Sequence, residues 1–222
     1  MILAALVFVL LMSPALPRTA FAACPTNIMS APGINQTSSN PSGSLAGSYT
    51  CTEGTNIHHT ASGQVSYDLS QGNMAASIDA QILCEGASEV HTHDTFTLTG
   101  PAGASPISFS AVINVYSYAL GFSFANASIR EGASNASPLA TPGGPSTVGI
   151  TITAPPGASF DLYMDGRASG GYLQTGVADV NVWLSFPDLP PGFLLTSCQG
   201  FTAGVPVPVR ATSWGRLKTV YR

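Results

Sequence analysis

Residues 63–100 read GQVSYDLSQGNMAASIDAQILCEGASEVHTHDTFTLTG, and their alternation decides the fold class. Val65, Tyr67 and Leu69 alternate with Ser66, Asp68 and Ser70. Successive side chains of a strand point to opposite faces, so this pattern predicts one buried and one solvated face. Gln71-Gly72-Asn73 reads as a turn. Met74, Ala76, Ile78, Ala80, Ile82 and Cys84 then resume the alternation against Ser77, Asp79, Gln81 and Glu85, predicting a strand that continues to Cys84. In the third segment, Thr92–Thr99, Phe96 and Leu98 take one face, and His91, His93, Thr95, Thr97 and Thr99 take the other.

Outward from this stretch the same period recurs. Gly47–Glu53 is the first strand candidate. Ile107, Phe109, Ala111, Ile113 and Val115 alternate up to Tyr116-Ser117-Tyr118, and Phe122–Ile129 follows across Gly121. After the small-residue loop 131–146, strands are predicted around Val148–Ile152, Phe160–Met164, Tyr172–Leu184 and Phe193–Phe201. Pro155-Pro156 and the run from Pro187 to Pro191 punctuate them, and no amphipathic helix of three turns precedes residue 210. Roughly ten strands with turns every 8–12 residues predict an all-β fold, an antiparallel two-sheet sandwich of jelly-roll or immunoglobulin-like type. A parallel β-helix is the minor alternative. The cysteine–tryptophan–cysteine spacing of a true immunoglobulin domain is not met, since Trp183 precedes Cys198 by 15 residues.

Composition narrows the function classes. Charged residues make up 8% of the 222-residue chain, against a usual quarter or so. With 45% hydrophobic residues this is not a disordered composition. Net charge is −4 and Lys218 is the sole lysine, so the clustered cations that neutralise nucleic-acid phosphates are missing. Met1–Met12 is an apolar run broken by Pro14 and Pro17, and Ala20-Phe21-Ala22 has the small-x-small pattern of leader cleavage. The run is shorter than the ~20 residues of a membrane span. Residues 1–22 therefore read as a signal peptide, 23–46 as a loosely held polar arm, 47–202 as the sandwich, and 203–222 as an extended basic tail. Localisation is expected to be secreted or cell-surface, with no transmembrane segment. Ala22-Ala23-Cys24 also resembles the end of a bacterial lipobox, which leaves lipidation of Cys24 open.

Cys24, Cys51, Cys84 and Cys198 are an even count in an exported chain, which predicts two disulfides. Three connectivities are open. Cys24–Cys51 with Cys84–Cys198 is the expected one, because it ties down the arm and closes one long loop. No C-x-x-C spacing supports redox chemistry or zinc.

The runs ASGQVSYDLSQGNMAASIDA (61–80), DTFTLTG (94–100) and LPPGFLLTSCQGF (189–201) together resemble a loose class of exported bacterial β-sandwich proteins of uncharacterised function. The resemblance implies fold and surface location and carries no catalytic residues. The chain lacks the PEP-plus-span anchor found in some of that class.

Two constellations bear on function. His91 and His93 share a strand face and, with His58 and His59, include every histidine of the chain, so they are candidate metal ligands. A cupin-like His-x-His site wants a glutamate four to six residues further on, where Thr97-Leu98-Thr99 stands instead. Asp94 has the parity of Phe96 and Leu98, facing away from the histidines. The second constellation is Trp183, Asn181 and Asp179, which share one strand face, with Tyr116, Tyr118 and Asn114 as a similar row. An exposed indole or phenol beside amide and carboxylate groups is the chemistry that stacks on a sugar ring and hydrogen-bonds its hydroxyls. A glycan or cell-surface component is therefore the candidate partner. Asp161 and Asp165 flank one strand and would also suit a structural calcium ion. No G-x-S-x-G, no paired inward carboxylates and no phosphate loop appear, so no cofactor is expected. The expectation is a non-enzymatic exported protein, with a carbohydrate-binding module and a metal-binding jelly-roll enzyme as alternatives.

Overall fold

The computed structural model describes residues 23–53, 57–136, 144–171 and 173–205. The signal-peptide reading, Tyr172 and the tail beyond residue 205 lie outside them. Among the described residues there is no helix, and none is long and apolar enough to cross a membrane.

The strands in order are β1 (Asn27–Ala31), β2 (Ile34–Ser38), β3 (Ser42–Glu53), β4 (Ile57–Asp68), β5 (Asn73–Ala80), β6 (Gly86–Thr99) and β7 (Ile107–Gly121). They continue with β8 (Ser123–Glu131), β9 (Ser134–Ala136), β10 (Gly144–Ala154), β11 (Ser159–Gly170), β12 (Gly176–Ser185), β13 (Leu194–Ser197) and β14 (Thr202–Gly204). They form two antiparallel sheets packed face to face, as expected of a sandwich. The front sheet has the order β10-β7-β12-β5-β4-β3, and the back sheet β14-β13-β6-β11-β8-β9, with the β1–β2 hairpin joined to β6.

The interior is tapered. At one end Phe96, Phe109, Phe160, Phe186 and Phe201 pack with ring centroids 5.6–6.1 Å apart. At the other end Ala61, Ala80, Ala125, Ala168 and Ala178 fill the interior, and a Cβ on Gly86 would stand 2.9 Å from that of Ala61. Small residues there let the sheets approach. Large rings hold them apart at the opposite end.

Four expectations are corrected. The arm 23–46 is not loosely held: β1 and β2 form a hairpin across Pro32-Gly33, β1 pairs with β6, and β3 begins at Ser42. Its polar sequence is compatible with pairing because Asn27, fully buried, accepts a hydrogen bond from the His93 amide and donates one to the Gln199 side chain. The long strand does not reach Cys84. It ends at Ala80, because Gln81 bonds Thr60 through both its backbone and its side chain, and Leu83 adopts a left-handed φ of 61° to turn the chain.

The disulfides are Cys24–Cys198 and Cys51–Cys84, not the expected pairing. The β5–β6 turn curls back over the end of β4 and brings Cys84 to Cys51 of β3 (Cα–Cα 5.5 Å). β1 and β13 lie along the same edge of β6, at Glu89–His91 and Phe96–Thr99, so Cys24 and Cys198 meet beside them. A sulfur in a disulfide is not free to carry a thioether-linked lipid, so the lipoprotein reading of Cys24 is corrected too.

Candidate functional site

The front sheet joins the two candidate rows. β12 and β7 are neighbours, and their register sets Asp179 opposite Tyr118, Asn181 opposite Tyr116 and Trp183 opposite Asn114. All six side chains point to the outer face, because Ala178, Val180 and Val182 of β12 and Ile113 and Val115 of β7 fill the interior. Tyr116 is 48% exposed, Trp183 47% and Tyr118 36%. The two rows, read separately from the sequence, thus form one outward surface drawn from two strands.

Across the sheet the outer residues fall into rows. Trp183 is flanked by Asn73 of β5 and Asn114 of β7. The next row runs Ser44–Ser66–Ala75–Asn181–Tyr116, and the one after it Ala46–Gln64–Ser77–Asp179–Tyr118. A fourth runs Ser48–Ser62–Asp79–Val177–Leu120. Small residues on β3, β4 and β5 leave a trough beside the taller ridge of β12 and β7. It consists of two adjoining hollows of about 290 Å³ and 540 Å³ that share Ala46, Gln64, Ser77 and Asp179. Gln64, Ser66, Ser77 and Asp79 were not singled out from the sequence. Their polarity reads as an ordinary solvated strand face, and only the register shows that they border the aromatic ridge.

Hydroxyl, amide and carboxylate groups line the trough. Among the described residues the only Lys or Arg are Arg130 and Arg167, and both lie on the other sheet. Partial burial raises the pKa of the Asp179 carboxyl above its ordinary value. Asn114 is held in place, donating to Ser185 Oγ at 3.3 Å and accepting from Thr147 Oγ1 at 3.1 Å. Asp79 and Asp179 occupy diagonal positions on neighbouring strands of the same open face, where water reaches both.

The histidine pairs are not brought together. His58 and His59 lie on β4 of the front sheet, opposite Thr52 and Cys51, whereas His91 and His93 lie on β6 of the back sheet. Among the described residues no group of three or more His, Cys, Asp or Glu is placed to hold a metal ion. Asp94 faces inward, as parity predicts, and is buried. Burial raises the pKa of its carboxyl against the hydrogen bonds it accepts from Ser197 and the Gln199 amide.

The outward histidines instead join a charge network. His91 Nδ1 stands 2.7 Å from Asp165 Oδ1 and its Nε2 3.4 Å from Glu89, which also pairs with Arg167 Nε at 3.0 Å. His93 stacks on Tyr163 at 4.1 Å, and Arg130 covers that ring at 4.2 Å. Asp161 accepts from Thr95 Oγ1 and approaches His93 Nε2 to 3.3 Å. Asp161 and Asp165 therefore serve different partners.

The hydrogen bond to Asp165 raises the His91 pKa, against burial and with help from Glu89. Burial pushes the Asp165 carboxyl up, but hydrogen bonds from His91 and Ser128 outweigh it and leave the pKa lowered. The His91 contribution is complete below its unfolded pKa of about 6.5 and fades as pH rises through the raised folded value. The Asp165 contribution is complete above about 3.9 and fades as pH falls through the lowered folded value. Both act together between roughly pH 4 and 6.5. The side chains are 46% and 40% exposed, so water holds the pair to less than about 1 kcal/mol. His91→Gln is expected to lose up to about 1 kcal/mol near pH 5.5 and less near pH 9, read by urea unfolding. Equal losses at both values would refute the ion pair.

No family model matches the chain, and no curated protein or solved structure matches it.

Proposed function

We propose that this is an exported, non-enzymatic β-sandwich protein that binds a neutral saccharide on the outer face of its front sheet. The observation that carries the reading is the register of β12 on β7, which sets Tyr118 beside Asp179 and Tyr116 beside Asn181, so that the exposed rings stand on the ridge whose Asp179 and Asn181 line the trough. Aromatic faces take the apolar side of a pyranose, while adjacent amides and carboxylates take its equatorial hydroxyls. The trough follows the strand direction over three rows, at about 6.6 Å for every second residue. That length suits a short stretch of a linear glycan rather than one sugar. With Asp79 and Asp179 on the face and no described Lys or Arg on this sheet, a sulfated or uronate-rich glycan would meet repulsion.

Export rests on the leader-like pattern of residues 1–22, with two disulfides of a kind that persist in oxidising compartments. The open face supports binding rather than turnover, because none of the described residues closes over Asp79 and Asp179 to exclude water.

A glycan array followed by titration calorimetry tests the reading. Neutral linear oligosaccharides are expected to bind, and Trp183→Ala and Tyr118→Ala are each expected to weaken binding by roughly 10-fold or more. Phe122→Ala, at an exposed ring away from the trough, serves as control. Absence of binding, or binding indifferent to both variants, overturns the proposal. Recovery of cleaved oligosaccharide overturns its non-enzymatic part.

A further inference from the structure

A sheet edge exposes unpaired amide and carbonyl groups, and proteins shield such edges with short strands, charges, prolines or covering segments. Four of the edge strands here carry such a device. In the back sheet β14 and β9 are three residues each and β2 is five. In the front sheet β3 is long, but the β1–β2 hairpin leans on it, so that a Cβ on Gly47 would collide with Pro32 and Ile34.

Among the described residues the exceptions are residues 123–128 of β8, beyond its pairing with β9, and the whole of β10, which is the longer. β10 runs for 11 residues, GPSTVGITITA, with no charged side chain, and its one proline, Pro145, stands at the start. Its β-branched content is that of a strand built for pairing. Val148, Ile150, Ile152 and Ala154 face the interior, whereas Thr147, Gly149, Thr151 and Thr153 face solvent.

We propose that two copies of the chain join edge to edge through β10, antiparallel and two-fold symmetric, into one continuous sheet. The sequence of the strand is complementary to itself in this arrangement. A two-fold axis through residue 150 places Val148 opposite the partner's Ile152 and Thr147 opposite the partner's Thr153. Inward residues meet inward residues, outward meet outward, and no like charges face each other. The half-buried Val148 gains a neighbour at the end of the interior. An axis perpendicular to the sheet also leaves both front faces on the same side. The two β12 strands then lie about 24 Å apart, five spacings of ~4.8 Å. If the saccharide reading holds, the dimer presents two troughs to one surface and gains avidity. The dimer itself does not depend on that reading.

Light scattering after size exclusion, over a range of concentrations, is expected to give twice the mass of the chain. Thr151→Lys, on the solvent face of the edge, is expected to give a monomer with an unchanged circular-dichroism melt, because it sets two like charges beside the axis within a Debye length of each other. Mixing it with Thr151→Asp is expected to restore a dimer, which a merely destabilised fold would not do. A monomer at every concentration overturns the proposal and leaves the edge to residues beyond 205 or to another protein. Open-ended oligomers overturn it as well, and so does a dimer unaffected by Thr151→Lys.

Discussion

Phe96→Ala is expected to destabilise the protein by about 3–5 kcal/mol, the largest loss anticipated from any single side chain. Phe96 is 1% exposed and its ring touches three others, Phe160 at 5.8 Å, Phe186 at 5.6 Å and Phe201 at 5.9 Å. These neighbours come from β11, from the segment after β12 and from the β13–β14 turn, so the ring joins separate parts of both sheets. Truncation leaves a void that the strands cannot close, since their spacing is fixed by backbone pairing on either side. A loss of this size is a large share of the 5–15 kcal/mol typical of a domain. It corresponds to a fall in Tm of roughly 6–20 °C for a chain of this length. Phe122→Ala, at a ring 54% exposed, is expected to change stability by less than about 0.5 kcal/mol. Thermal melts of the two variants side by side check the contrast, and comparable losses would mean that the five-ring cluster is not the centre of the interior.

That cluster was legible in the sequence only in part. Alternation identifies Phe96, Phe109 and Phe160 as inward residues, because each sits in phase with other apolar side chains of its own strand. Phe186 and Phe201 lie outside regular strands, where there is no period to read. The same division applies to the candidate site. Parity along β12 and β7 separates Trp183, Asn181, Asp179, Tyr116 and Tyr118 from the interior, and the structure agrees. Which strand lies beside which is a long-range property with no local signature, so the pairing of Tyr118 with Asp179 and the small-residue trough across β5 and β4 came only from register. The arm departs from its polar, loop-like sequence for a related reason. Asn27 reads as a loop residue, yet its amide is fully buried between His93 and Gln199, residues far from it in the chain.

The cysteines show how such long-range facts turn into stability. Replacing Cys24 and Cys198 together by alanine is expected to cost about 5 kcal/mol, and replacing Cys51 and Cys84 somewhat under 4. In the chain-entropy account the stabilisation grows with the logarithm of the loop closed in the unfolded chain. The sequence separations are 174 and 33. In the folded protein the longer bridge also closes a clasp. Gln199 donates to the Pro25 and His93 carbonyls and accepts from Asn27, so β1 and the β13–β14 hairpin are held to the same edge of β6. Two effects are therefore expected when the bridge is removed. Global stability falls in urea unfolding, and amides of Asn27–Ala31 lose hydrogen-exchange protection beyond the global change, because β1 opens locally once no covalent link backs its short pairing with β6 and the Asn27–Gln199 hydrogen bonds. Removal of Cys51–Cys84 is expected to spare β1 and to loosen the β5–β6 turn around Leu83 instead. The account fails if the 33-residue bridge proves the more stabilising of the two. It fails equally if β1 exchanges no faster than the rest of the back sheet after the longer bridge is gone.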